Sequence, residues 1–282
     1  MARMSAVLAA IVVTLGAVTA GLVSLFVALP EWGPLWGAIA LGLTGAVLSE
    51  YWSAEDTMLA AVEASRVDRR QAPELHEMVA RVAAMLDLSA PDIALARSEI
   101  PNGFVVGKRR SKSVVTVSEE MLRQLEPAEV EAVLAHELSH VANRDSAVMT
   151  VASVPRVIGL QLFTSDLIYL WFFLWPVGFL LFAWGSFLTR ALSRYREYAA
   201  DEGAAVATGR PEALMSALQK LADEIERIPR DDLRTVEGLN PLFIVSVTKA
   251  PRTFEFLMAH PPLERRIARL ASIAREMEKP PH

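Results

Sequence analysis

Apolar residues in this chain fall into two patterns, continuous blocks and helical stripes, and the two alternate along its length. Ser5 to Pro30 is nearly uncharged and rich in Ala, Val and Leu. At about 1.5 Å of rise per helical residue it can cross a hydrocarbon core of about 30 Å. The break "PEWGP" follows, and Leu35 to Trp52 is a second apolar run interrupted only by Glu50. Arg3 ahead of the first block also suits a cleavable signal peptide. The length of the block and the second span directly after it favour a helical hairpin instead. Two further blocks, Ala147 to Phe163 and Leu167 to Leu188, are separated by "TSD" and repeat the hairpin pattern. Pro155 and Arg156 interrupt the first of these, which leaves a kinked span or a partly buried amphipathic helix there.

Between the blocks the pattern changes. In "PELHEMVARVAAMLDL", Leu75, Met78, Val79, Val82, Ala83 and Leu86 share one helical face. "PDIALAR", "NGFVVGK" and "SVVTVS" are short β-rich pieces separated by turn residues, so a small sheet is expected. Ser118 ahead of Glu119, Glu120 and Met121 looks like a helix start, and Pro127 after Glu126 opens the next helix. Charge returns at Thr189: "TRALSRYREYAADEGAAVATG" reads as a helix ending near Gly209, a second helix runs from Pro211 to Ile228, and Pro261 to Glu278 closes the chain as an amphipathic helix. The turns of the two hairpins carry Glu31 and Asp166 but no Lys or Arg. Arg3, Arg66, Arg69, Arg70, Arg190, Arg194 and Arg196 lie on the other side, which places both termini and the water-exposed part in the cytoplasm.

Composition narrows the chemistry. The chain has 282 residues, 52% of them hydrophobic and 22% charged, a mixture that suits a protein partly in membrane and partly in water. A net charge of −5 offers no electrostatic case for nucleic acid. With no cysteine, disulfides, thiolate catalysis and sulfur-ligated metals are excluded, so any metal must be held by histidine and carboxylate.

One stretch meets that requirement. "EAVLAHELSHVANRD", Glu131 to Asp145, puts His136 and His140 four residues apart on one helical face, with Glu137 offset by one position. Two imidazoles can hold one zinc ion, and the carboxylate can take a proton from water that the metal has acidified. The bland alternative is a solvated helix face. A catalytic zinc takes three protein ligands, and no third histidine follows closely. The best downstream candidates are Glu197 and Asp201 in "REYAAD", one turn apart, on a helix kept slim by Ala199, Ala200, Ala204 and Ala205. Glu197 as ligand with Asp201 orienting His136 or His140 is chemically sensible. Both carboxylates could instead simply balance Arg194 and Arg196 at a surface.

HELSH, then "REYAAD" across a hairpin, with "NGFVVG" upstream and "HPPLERRI" downstream, resemble in this order the HtpX family of membrane metallopeptidases, which is related to the CAAX prenyl proteases. The likeness covers nearly the whole chain. It implies a gluzincin fold in the bacterial inner membrane, one Zn2+ per chain, and cleavage of misfolded membrane proteins or unfolded polypeptides on the cytosolic side during stress. By position, His136, His140 and Glu197 match the zinc ligands, Glu137 the general base and Asp201 the aspartate behind a ligand. Asn102, with Gly103 and Phe104, matches the strand that meets substrate, and His260 the histidine of the HPP motif. "NGFVVG" departs from the more usual "NAFATG". His76 reads as a surface or core-edge residue, and His282 as part of a loose terminus.

The expected architecture is therefore a mainly α membrane protein with a small β-sheet, a zincin-like domain joined to two transmembrane hairpins. The expected segments are 1–52 (hairpin), 53–146 (first part of the protease domain), 147–190 (second hairpin) and 191–282 (second part). The alternatives are a CAAX-type prenyl protease and a zinc-stabilised membrane scaffold without catalysis. The intact Glu137 speaks against the scaffold.

Overall fold

A computed structural model of the chain describes residues 58–109, 112–163, 171–229, 243–246 and 260–279, with isolated positions among the first 56. The hairpin expected over Ser5 to Trp52 lies outside the described residues apart from those positions, as do the "TSD" turn and His282. The chain divides into two compact units, Met1–Ser53 with Ala147–Ser193 and Ala54–Ser146 with Arg194–His282.

The second unit holds strands β1 (Ala64–Val67), β2 (Asp92–Ala96), β3 (Gly103–Arg109) and β4 (Lys112–Ser118) in one sheet of order β1-β2-β4-β3. β2 and β4 are parallel, and the outer pairs are antiparallel. β4 is buried on both faces from Ser113 to Ser118, which explains why adjacent Val114 and Val115 are both apolar. Val115 and Val117 enter the main core, whereas Val114 joins Leu59, Ala94, Phe104 and Val106 in a second cluster. β1 had no signal in the sequence, since its four residues alternate too briefly to register.

Helices α1 (Pro73–Met85), α2 (Glu119–Gln124) and α3 (Pro127–Ala142) belong to this unit. The Ser118 hydroxyl accepts from the Met121 N–H and starts α2 as expected. Glu126 and Glu129 form a reciprocal capping box at the start of α3, where Pro127 lacks only an N–H that would be unused. α3 is no ordinary amphipathic helix. It packs against α1, β3, β4 and α6 (Pro211–Arg227), so every residue from Glu129 to Ser139 except Glu131 is buried. Each large side chain it buries, such as Leu134 or Leu138, contributes about 1.5–3 kcal/mol. The closing helix α7 (Leu263–Met277) packs on α6.

In the first unit, most of α4 (Asp145–Phe163) lies against the start of α5 (Trp171–Thr208). Pro155 sits inside α4 without ending it. Three glycines allow backbone-to-backbone approach: a Cβ on Gly159 would run into the Phe182 nitrogen, on Gly178 it would meet the Phe163 nitrogen at 2.5 Å, and on Gly185 the Arg156 nitrogen at 2.5 Å. α5 does not start at Thr189; it is one 38-residue helix from Trp171 to Thr208, ended by Gly209 at φ +65°. Trp175, Val177, Phe179, Leu180, Trp184 and Phe187 on α5 and Val151 on α4 are exposed. Among the described residues no helix is long and apolar enough to cross a membrane.

Candidate metal centre

The second unit brings three pieces of chain to one point. α3 supplies His136, Glu137 and His140, the charged half of α5 supplies Glu197 and Asp201, and the chain entering α7 supplies His260, with Arg266 in the first turn of α7. Except for His140, which is slightly open, all of these are buried. The close crossing of α3 and α5 depends on small residues. Ala200, Ala204 and Ala205 are fully buried, and a Cβ on Gly203 would lie 2.6 Å from Ser139 Oγ.

The two imidazoles stand edge to face, with centroids 4.9 Å apart and planes at 87°. His136 Nε2 is 3.7 Å from Glu197 Oε2, and His140 Nε2 is 3.5 Å from Glu197 Oε1. One ligand atom from each of the three residues lies within 4.8 Å of the others. Two imidazole nitrogens and a carboxylate oxygen form a donor set that suits zinc. Glu197 Oε2 fits that reading: it is buried and makes no well-aligned hydrogen bond, although His260 Nδ1 stands 3.3 Å away and Arg266 Nη1 3.6 Å away. A bound cation satisfies such an oxygen.

Charges around the centre are set by burial and partners. Burial pushes the Glu197 carboxyl up, but His260, His140 and Arg266 outweigh it and hold the group well below the usual carboxylate range. Glu137 goes the other way. Burial first, then the Glu197 charge, raises it well above its ordinary value, while a hydrogen bond from the Val105 N–H of β3 opposes the shift. Burial lowers His136 despite the Asp201 carboxylate, which favours the neutral imidazole that binds metal. Asp201 is held low against its burial by Arg266 and His136.

Asp201 Oδ1 lies 2.9 Å from His136 Nδ1, so of the two histidines it serves His136. It is gripped in turn by Arg266, with Nε at 2.9 Å from one oxygen and Nη2 at 2.7 Å from the other. Neither acidic residue of "REYAAD" is a mere partner for Arg194 or Arg196. Arg196 instead faces Asp145, and Asp145 Oδ2 sits 2.6 Å from His140 Nδ1. On the strand side, Asn102 is buried, and its Oδ1 accepts from the Ile244 N–H at 3.1 Å. The Ile244 carbonyl accepts from Arg266 Nη1. Gly103 sits on Met121, where a Cβ would be 3.3 Å from the sulfur, and the Phe104 ring is packed in the second core cluster. His76 is half-buried, with Nε2 3.1 Å from the Val67 carbonyl.

Asp145, Arg266 and Ile244 were not legible as site residues. Asp145 had a faint signal as the carboxylate that closes the zinc-motif run. Arg266 looks like any arginine of an amphipathic helix until its burial is known.

A buried and a nearly buried imidazole, a low-lying carboxylate and a second carboxylate with raised proton affinity suit a metallopeptidase type of centre. The chain matches Peptidase family M48 over residues 69–274. Protease HtpX homolog 1 of Streptomyces coelicolor is 40% identical over 281 residues, 95% of this chain and 91% of that one. Protease HtpX homolog 2 of Methanosarcina mazei is 39% identical over 241 residues, 81% and 82% of the two chains. The crystal structure of S. mikatae Ste24p shares the fold, with a TM-score of 0.58 at 18% identity over 96% of this chain and 67% of that one. The chain belongs to peptidase family M48, among its HtpX-type proteases.

Proposed function

We propose that this protein is a membrane-integrated, zinc-dependent endopeptidase that cleaves misfolded membrane proteins or unfolded polypeptides on the cytosolic side of a bacterial inner membrane. The observation that carries the reading is the His136, His140 and Glu197 triangle with its unsatisfied Glu197 Oε2. Bound there, zinc supplies Lewis acidity at the scissile carbonyl and acidifies water. Glu137 sits one position along α3 from His136, and its raised proton affinity suits a group that takes a proton from water and passes it to the leaving amine. The Val105 N–H steadies its carboxylate. β3 is an edge strand, so its backbone from Gly103 onward can pair with an extended peptide. Phe104 takes part through its backbone, because its ring is buried. Asn102 has its oxygen committed to Ile244, which leaves its NH2 to donate to a substrate carbonyl. His260 Nδ1 stands 3.3 Å from Glu197 Oε2, and an imidazole so close to the ligand set can bear on the oxyanion of the transition state.

The membrane assignment rests on the apolar blocks and on the exposed tryptophans, phenylalanines and leucine of α5, a surface that lipid would cover. The test is digestion of casein and of a membrane protein by detergent-purified full chain, with and without a zinc chelator, beside Glu137→Gln. Glu137→Gln should keep its zinc and lose about 10²–10⁴-fold in kcat. Cleavage by zinc-loaded Glu137→Gln at near the original rate would refute the role of Glu137, and chelator-insensitive cleavage would refute the metal.

A further inference from the structure

Each histidine of the zinc motif must turn Nε2 toward Glu197 and have Nδ1 held behind it. Asp201 stands behind His136, a choice between His136 and His140 that the sequence left open. The structure shows a second, independent arrangement behind His140. Asp145 Oδ2 lies 2.6 Å from His140 Nδ1, and Arg196 Nε stands 3.0 Å from the same oxygen. Asp145 is buried, and Arg196 keeps 18% of its side-chain surface exposed.

The backbone is bent to make this contact. A residue five positions on along a continuous helix would point about 140° away from His140. α3 instead ends at Ala142, and Arg144 takes φ +57°, a conformation that non-glycine residues rarely adopt. That left-handed residue breaks the helical path, and Asp145 lies beside His140 as α4 begins.

We infer that Asp145 is a positioning residue for zinc binding. Its carboxylate accepts the His140 Nδ1–H, which fixes the tautomer with the lone pair on Nε2, and Arg196 stands beside the carboxylate as its counter-charge. The inference rests on the zinc reading of His136, His140 and Glu197. It also assigns Arg196, the neighbour of the third ligand in sequence, to the opposite side of the same centre. The two aspartates are braced unequally: Arg266 grips Asp201 with two nitrogens in the interior, while Arg196 meets Asp145 with one at a more open edge. The His140 side is thus the looser arm of the site.

The test is zinc affinity of the detergent-purified full chain, by competition with a chromophoric chelator, alongside melting of the metal-free protein. Asp145→Ser can still start α4 but cannot reach the ring, and should bind zinc about 10–100-fold more weakly with metal-free melting near the original. Asp145→Asn keeps an oxygen acceptor without the charge, and its loss should be smaller, at about 3–10-fold. Arg196→Gln should show a loss no larger than that of Asp145→Asn. Zinc affinity within about twofold of the original in Asp145→Ser overturns the inference, and so does unchanged affinity in Asp145→Asn if the serine variant does not fold. His136→Ala separates the underlying reading. If that variant binds zinc as tightly as the original, the metal assignment fails and this inference with it. If it loses zinc while both Asp145 variants keep it, only the present inference fails.

Discussion

Gly203→Ala places one methyl group at the crossing of α3 and α5. Its Cβ would lie 2.6 Å from Ser139 Oγ and 3.1 Å from Ser139 Cβ, about 0.8 Å inside the 3.4 Å at which ordinary contact begins for the first pair. Ser139 cannot swing clear easily. Its hydroxyl donates to the Ala135 carbonyl at 2.7 Å, and its Cβ, fixed to the helix, is also too close. The helices must therefore separate by several tenths of an ångström, and overpacking of this kind costs about 1–3 kcal/mol, of which the better helix propensity of alanine offsets about 1 kcal/mol. At about 2–4 °C per kcal/mol for a body of this size, the melting temperature should fall by up to about 8 °C. Glu197 lies on the same helix as Gly203, while His136 and His140 lie on the other, so zinc affinity should fall together with stability. Ser139→Gly removes both obstructing atoms at a cost of about 1 kcal/mol for glycine inside a helix. The double variant should recover at least about 1 kcal/mol relative to the sum of the single changes. The assay is thermal melting of detergent-purified protein with a zinc titration of each variant. Additivity within about 0.5 kcal/mol would show that the two helices are not held together at this point.

Three further outcomes are expected. Glu197→Ala should lower zinc stoichiometry, while Glu202→Ala, at an exposed pair with Arg269, should leave it full; equal loading would leave the third ligand elsewhere. Arg266→Gln should destabilise the fold by about 3–5 kcal/mol, because it strands the buried Asp201 carboxylate, and a melting temperature near the original would show Asp201 to be satisfied without it. Glu129 is held below its ordinary value of 4.5: burial pushes it up, but hydrogen bonds from Lys220, Ser216 and its own helix cap prevail. A lowered folded-state pKa stabilises above that ordinary value and the gain is lost as pH falls through the lowered one. Stability should thus drop below about pH 4.5 less steeply in Glu129→Gln, and parallel slopes would exclude this contribution.

The sequence by itself determined the helix of the zinc motif, because a four-residue spacing places His136 and His140 on one face whatever surrounds them. It also determined the starts of α2 and α3, through Ser118, Glu126 and Pro127, and the end of α5 at Gly209. These are local matters of hydrogen-bond geometry and backbone freedom. It made Glu197 a candidate, but could not choose between ligand and surface partner, since that choice depends on which arginine reaches which carboxylate. Only the tertiary structure decided that Arg266 takes Asp201, Arg196 takes Asp145, and Glu197 is left facing both imidazoles. For α3 the same spacing also allowed a solvated face, because polar residues usually mark a wet one. Here the sheet, α1 and α6 enclose it, and His136, Glu137 and His140 face a largely buried centre instead. The roles of Asp145 and Ile244 were equally hidden: one depends on a left-handed turn at Arg144, the other on a main chain 142 residues away from Asn102. Pattern and spacing record what a residue does to its near neighbours. Burial and charge pairing arise only when distant segments pack, and they give the same residue types different chemistry.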